Sequence, residues 1–342
     1  MTEPRILPPL APARRRPLPR PSFRLVLPGV SLGLLVAVIA LNIYALDAGP
    51  ADAWTYLAAG ERLNAGHQLY ALSPGDRPVD LKPPYWTVPL LSPPPIAVLW
   101  RPLALLPAEV AVAGWWILTM VAVALSILLA VRARPVFASL AVLVFLLPLN
   151  YEFANGNVNG LLLLGTIGAW LSIRSGRDRL AGVAVAAMTA VKLTPAVLLV
   201  WLLLERRWVA VRTSLATGMV LGLVSVLGAG PQAHLAYLDV MADTATVGPT
   251  QFSLAGLVER LGVAIEIARL APPAALGVGM SVVALAARRG RPDVGFTAAV
   301  FTMVWGSPVM NFDWLSLLFA ALAPGFWPLG TSDERAARAP EH

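Results

Sequence analysis

The fold class predicted is all-α, a polytopic integral membrane protein, and three observations predict it. Hydrophobic residues fill 57% of the 342 positions and charged residues only 13%, against roughly 25% charged in soluble domains. The apolar residues gather into runs, several of them close to the roughly 20 residues a helix needs to cross a bilayer. Short arginine clusters separate the runs, as in the cytoplasmic loops of membrane proteins. The formal charge of +7 is therefore a topology signal, and nucleic acid is not expected as a partner. Cysteine is absent, which removes disulfides, thiolate chemistry and Cys-ligated metals. The histidines, His67, His234 and His342, are too scattered for metal-ligand spacing. Neither a metal site nor a cofactor is expected.

Taken in order, residues 1–24 combine prolines with Arg5, Arg14, Arg15, Arg16, Arg20 and Arg24, too polar and proline-rich for a core, and read as a disordered basic cytoplasmic tail. The run from Leu25 to Leu46 is longer than the roughly 7–15 apolar residues of a signal peptide and reads as an uncleaved first membrane helix. From Ala51 to Leu69, Trp54, Leu57, Ala58 and Leu63 fall at amphipathic spacing, which predicts a helix lying along the interface. The proline-bounded stretch from Ser92 to Pro107 predicts a second surface or partly inserted helix. Further apolar runs lie near 110–131, 135–149, 159–173, 180–204, 209–229, 267–287, 294–307 and 313–329.

The arginine clusters Arg132/Arg134, Arg174/Arg177/Arg179, Arg206/Arg207/Arg212, Arg288/Arg289/Arg291 and Arg335/Arg338 all fit in the cytoplasm at every step but one. The run 180–204 begins and ends beside arginines, so a single crossing would break the pattern. Lys192 and Pro195 lie at its midpoint. Proline disfavours helix at the residue before it and removes a backbone donor. Two short helices turning at Lys192-Leu193-Thr194-Pro195 restore the pattern, as non-helical backbone at membrane depth is tolerated against protein or a wet cavity. The threading predicts both termini inside, about ten membrane segments counting each arm of the hairpin, and one integrated domain over residues 25–329, followed by a cytoplasmic tail, 330–342. The chain has no evident internal repeat. The expected location is the plasma membrane, multi-pass.

The same threading collects the chemically capable groups on the outer face. These are Asp52 and Tyr56 after the first helix, Asn155, Asn157 and Asn159, the hairpin tip at Lys192, the loop from Gly230 to about Glu266 with His234, Gln251 and Arg260, and a last loop with Asn311 and Asp313. Lys192 is the most informative. An ammonium at membrane depth costs a few kcal/mol and faces a cavity, a charged partner or a charged ligand. Acidic groups can deprotonate a hydroxyl, Lys192 and Arg260 can hold a phosphate, and amides and aromatics suit sugar hydroxyls and faces.

These residues, in this order, resemble glycosyltransferase family 87, polyprenyl-phosphate-mannose-dependent mannosyltransferases of the GT-C fold. The stretches that carry the resemblance are Asp52-Ala53-Trp54-Thr55-Tyr56-Leu57-Ala58-Ala59-Gly60 to Leu69-Tyr70, Pro93-Pro94 through Arg101-Pro102 to Pro107, Gly156-Asn157-Val158-Asn159, Ala181-Gly182 to Lys192-Leu193-Thr194-Pro195, Gln251-Phe252-Ser253-Leu254 with Gly256 and Arg260, and Ser307-Pro308. The resemblance implies transfer of a sugar, mannose first, from a polyprenyl phosphate to a glycolipid or glycan hydroxyl on the outer face, with the lipid-phosphate sugar as co-substrate and no cofactor. It implies Asp52 as general base, Lys192 and Arg260 on the donor phosphate, and Tyr56, Asn157, Asn159, Gln251, Asn311 and Asp313 on sugar or acceptor. Two stretches depart from the family's pattern. Ser92 stands where a tyrosine often precedes the Pro-Pro pair, and Val309-Met310-Asn311-Phe312-Asp313-Trp314 stands where Trp and paired His often follow Ser-Pro.

Each residue also has a plainer reading. Asp52 fits an N-cap, Lys192 a snorkelling side chain or a partner of Glu152, Arg260 an interfacial anchor, the asparagines caps for the helix from Gly160, and His234 a surface residue. Within the transfer class, arabinose or glucose is the competing donor sugar. A lipid-linked-sugar transporter and a non-catalytic membrane scaffold are the rival classes.

Overall fold

A computed structural model of the chain describes residues 23–46, 50–79, 81, 88–246 and 252–329. It is all-helical, and no strand occurs among the described residues. The first half contains α1 (Phe23–Leu46), α2 (Ala51–Asn64), α3 (Pro94–Leu103), α4 (Ala108–Ala133), α5 (Pro135–Val144), α6 (Leu146–Asn155) and α7 (Asn159–Arg174). The second contains α8 (Asp178–Val191), α9 (Ala196–Leu204), α10 (Trp208–Thr246), α11 (Leu254–Arg260), α12 (Ile265–Ala268), α13 (Ala271–Arg288), α14 (Pro292–Trp305), a 3-10 helix (Phe312–Leu322) and α15 (Ala323–Phe326).

The apolar composition is that of a membrane protein. Ala108–Ala133, Trp208–Asp243 and Ile265–Arg288 are each long and apolar enough to cross a bilayer, and α5 with α6, bent by 70°, makes a fourth if the pair is one span. Leu215, Met219, Leu223 and Leu227 of α10 are all exposed. They recur every fourth residue, a stripe of the kind that faces lipid.

Small residues bring the helices together, as expected where lipid tails compete for apolar contact. A Cβ added at Gly182 of α8 would lie 2.3 Å from the Ala210 carbonyl oxygen of α10, and one at Gly60 of α2 would lie 2.7 Å from the Trp100 carbonyl oxygen of α3. Between α7, α9 and α14, Trp170, Trp201 and Phe296 form one aromatic core, with ring centroids 4.8 Å apart for Trp170 and Phe296 and 5.2 Å for Trp201 and Phe296.

Three elements differ from the sequence reading. The expected loop from Gly230 is helix as far as Thr246, with a kink at Gly230 (φ 78°, ψ 157°). Pro231 follows the kink, and proline is at home in a helix's first turn, where its missing N–H has no intrahelical partner. His234 closes the kink, with Nδ1–H donating to the Gly230 carbonyl at 2.9 Å and Nε2 accepting from the Ser225 hydroxyl at 3.0 Å. Asn150 to Asn155, expected in a loop, belong to α6. The run 313–329 forms a 3-10 helix and α15. Among the described residues, three helices are long and apolar enough to cross alone, or four spans if the bent pair is one, and several other segments are shorter than a bilayer's width. The break inside 180–204 is present where the arginine pattern predicts it. α8 stops at Val191, Lys192 is extended (φ −157°, ψ 128°), and α9 begins at Ala196.

Candidate active site

Six chain segments meet around a cavity of ≈ 560 Å³. They are the first turn of α2, described residues between Pro78 and Pro93, the turn between α6 and α7, the break between α8 and α9, α10 at Tyr237 to Met241, and the residues from Ser307 to Trp314. The volume is that of a small-molecule site.

Asp52 enters from α2. Pro50 occupies the N-cap position and makes no side-chain cap, so the capping reading of Asp52 does not hold. Its Oδ2 instead accepts a hydrogen bond from Asn157 Nδ2 at 2.7 Å. One helical turn later Tyr56 is buried, its ring 6.2 Å from Trp100 and 6.0 Å from Trp115. Burial first, and the nearby Asp52 charge second, push its hydroxyl well above its ordinary pKa, so it serves as a neutral hydrogen-bonding group.

The turn between α6 and α7 is built on Gly156, whose φ of +61° favours glycine. A Cβ there would also lie 2.8 Å from Pro50 Cβ. Trp115 Nε1 donates to the Gly156 carbonyl at 2.9 Å, and Trp116 Nε1 donates to the Phe153 carbonyl. The turn therefore holds Asn157 against Asp52. Asn157 Oδ1 accepts from the Asn159 backbone N–H at 3.2 Å, and Asn159 Nδ2 donates to Asp313 Oδ2 at 2.9 Å.

Lys192 completes the chain of contacts. Its ammonium donates to Asn159 Oδ1 at 2.8 Å and stands 3.3 Å from the centroid of the Trp314 ring, a cation–π contact. Glu152, Asp313 and Asp52 are its charged neighbours. A continuous hydrogen-bonded path thus runs from Asp52 through Asn157 and Asn159 to Lys192 and Asp313. Each asparagine offers both an acceptor and a donor, which is what joining acids to an ammonium requires.

Of the residues singled out from the sequence, Asp52, Tyr56, Asn157, Lys192 and Asn311 line the cavity. Asn159 and Asp313 lie behind it, buried, and reach it through Lys192 and Asn157. Arg260 is exposed on α11, its guanidinium 6.0 Å from the Phe252 ring, and is not among the cavity-lining residues. Gln251 lies outside the described residues, as do Asp47, Asp80, Lys82, Tyr85 and Trp86. His234 serves the α10 kink and does not line the cavity.

The structure adds Trp314, Thr194 and Tyr237 to the cavity wall. Tyr237 stacks on Tyr70 with centroids 5.8 Å apart, and Tyr70 donates its hydroxyl hydrogen to the Ser92 carbonyl at 2.9 Å. Thr194 is foreshadowed by its place in the Lys192-to-Pro195 break. Trp314 and Tyr237 carry no local signal, since their role comes from segments far apart in sequence.

The model of glycosyltransferase family 87 matches residues 91–310, well over half of the chain. Among curated proteins, a polyprenol-phosphate-mannose-dependent alpha-(1-2)-phosphatidylinositol pentamannoside mannosyltransferase of Mycobacterium tuberculosis (strain CDC 1551 / Oshkosh) is 29% identical over 228 residues, covering 61% of this chain and 52% of the relative. A protein of the same description from Mycolicibacterium smegmatis (strain ATCC 700084 / mc(2)155) is 29% identical over 245 residues, covering 68% of this chain and 57% of the relative. The chain spans about half the length of these relatives. No solved structure gives a significant match.

Proposed function

The chain belongs to glycosyltransferase family 87, and from that premise we propose that it moves a sugar, mannose, from a polyprenyl phosphate to a hydroxyl of a glycolipid on the outer face of the plasma membrane. The two relatives' descriptions name polyprenol-phosphate mannose and a phosphatidylinositol mannoside, which favours mannose as the donor sugar and a glycolipid as the acceptor class. The observation that carries the reading is the cavity itself, where a carboxylate and an ammonium face one space and are tied together through two amides.

Asp52 acts as general base. It accepts the proton of the acceptor hydroxyl as that oxygen attacks the anomeric carbon from the face opposite the phosphate. The bond between the anomeric carbon and the phosphate oxygen breaks, its electron pair leaves with the phosphate, and configuration at carbon inverts. The leaving group is already an anion, so it needs positive charge more than a proton, and Lys192 supplies it. Asn157 orients Asp52, and Asn159 with Trp314 orients Lys192. Asn311 and Tyr56 contact sugar or acceptor. Asp313 holds Asn159 from behind. The reaction uses the chain's own residues and the lipid-phosphate sugar as co-substrate.

The accompanying topology is a GT-C-type arrangement of about ten membrane segments with a hairpin at Lys192 and both termini cytoplasmic, which the arginine distribution favours. The test is transfer from labelled polyprenyl-phosphate mannose to endogenous lipid acceptors in membranes, with wild type and Asp52→Asn matched for expression. Transfer by the wild type alone is the expected result. Equal transfer by both proteins would remove Asp52 as base, and absence of transfer by the wild type would refute the proposed donor.

A further inference from the structure

Glu152 is an acid that the proposed chemistry leaves without a role. It sits on α6 and is 1% exposed, with Asp313, Lys192 and Asp52 as its charged neighbours. Its Oε1 accepts the Gly160 backbone N–H at 2.6 Å, while its Oε2 has no hydrogen-bond partner among the described residues. Gly160 lies in the first turn of α7, where backbone N–H groups have no partner within the helix and accept one from outside. The segment enclosed by this bond contains Gly156, Asn157 and Asn159, the turn that holds both amides.

We propose that Glu152 is a positioning residue for sugar transfer. By fastening the end of α6 to the first turn of α7, it sets the turn that aims Asn157 at Asp52. The inference rests on the reading of Asp52 as general base. Trp115 on the Gly156 carbonyl, Trp116 on the Phe153 carbonyl and Asn157 Oδ1 on the Asn159 N–H also fix the turn, and of these bonds the one from Glu152 joins α6 to α7 directly. The work is done by one acceptor oxygen, since Oε2 has no hydrogen-bond partner among the described residues. An amide at this position presents the same acceptor, so hydrogen bonding and not charge is what the site requires.

The experiment compares the full chain with Glu152→Gln, Glu152→Ala, Asn157→Ala and the Glu152→Ala/Asn157→Ala double variant. It measures transfer from labelled polyprenyl-phosphate mannose, and amide hydrogen exchange of peptides within residues 153–162. Leaving the buried Gly160 N–H without its acceptor predicts at least about a tenfold fall in turnover for Glu152→Ala. Glu152→Gln should restore turnover to within about threefold of wild type, as its amide oxygen accepts the same N–H. The double variant should be no slower than Asn157→Ala within about twofold, because Glu152 acts through Asn157. Exchange in the peptide should quicken in Glu152→Ala and not in Glu152→Gln.

Turnover in Glu152→Gln as low as in Glu152→Ala would overturn the inference in favour of a charge role. Multiplying effects in the double variant would overturn the path through Asn157. If the wild type transfers nothing, the functional reading fails by itself, and the exchange data alone decide whether Glu152 fastens the turn.

Discussion

Replacing Gly156 with alanine tests the tightest contact behind the base. Two costs can be read from the structure. The backbone there is left-handed, φ +61°, and an L-residue pays roughly 1–2 kcal/mol for that conformation. The new Cβ would also stand 2.8 Å from Pro50 Cβ, where ordinary contact begins at 3.4 Å, so the neighbour must withdraw by about 0.6 Å (3.4 − 2.8). Overpacking of this kind costs roughly 1–3 kcal/mol. Pro50 is two residues from Asp52, whose bond to Asn157 is 2.7 Å long. Carried through to Asp52, the same displacement would stretch that bond to about 3.3 Å, beyond good geometry.

Gly66→Ala is the control, because Gly66 has φ +75° but no heavy atom within 4 Å of its added Cβ. It pays the backbone cost without the clash. Both variants should melt below wild type in detergent, Gly156→Ala lower by the additional roughly 1–3 kcal/mol. Only Gly156→Ala should also lose sugar transfer per folded molecule, by about tenfold if 1.4 kcal/mol of the clash reaches the base. Equal melting and equal turnover for the two variants would refute the claim that the Pro50–Gly156 contact positions Asp52.

Three further outcomes are expected. Lys192→Met should fold but bind polyprenyl phosphate at least about tenfold more weakly, since removing the partner of a buried charge is costly; unchanged binding in a lipid-phosphate titration would reject the phosphate role. Arg260→Ala, altering an exposed residue off the cavity wall, should change the donor KM by less than about threefold, and an effect equal to that of Lys192→Met would place the donor differently. In the loop after α2, the Ser73 N–H and then His67 hold the Asp76 carboxyl below its ordinary value. Because the folded value is depressed, its stabilising contribution is present above the ordinary carboxylate value and is lost as pH falls through the lower folded one. Proteolysis within residues 67–79 should therefore rise on acidification in the wild type and be already high in Asp76→Asn; a pH profile shared by both would dismiss this role.

The features legible in the sequence are those with a local cause. Charge flanks and Pro195 located the break at 192–195, and the lysine inside it pointed to a site. Asp52 stood out by following the first apolar run, and Asn157 and Asn159 by clustering with glycine. The contacts that assemble these residues have no such cause. Asn159 meets Asp313 across 154 positions, and Lys192 finds Trp314 only because the 3-10 helix begins beside the α8–α9 break. Pro231 misled in the other direction, since a Gly-Pro pair marks a loop as readily as a kink between two helices. Glu152 had a signal in its position as an acid beside apolar sequence, but its partner is a backbone N–H, which residue types never reveal.

The seat of Lys192 on Trp314 also makes the indole an optical witness. A cation 3.3 Å from the ring centroid perturbs the excited state of that tryptophan. If a lipid phosphate draws the ammonium away, the emission of Trp314 shifts against the signal of the other ten tryptophans of the chain, of which Trp54 also lines the cavity. The difference between wild type and Trp314→Phe during a titration would isolate that shift. Occupancy of the cavity could then be followed by light, without a label and without any turnover.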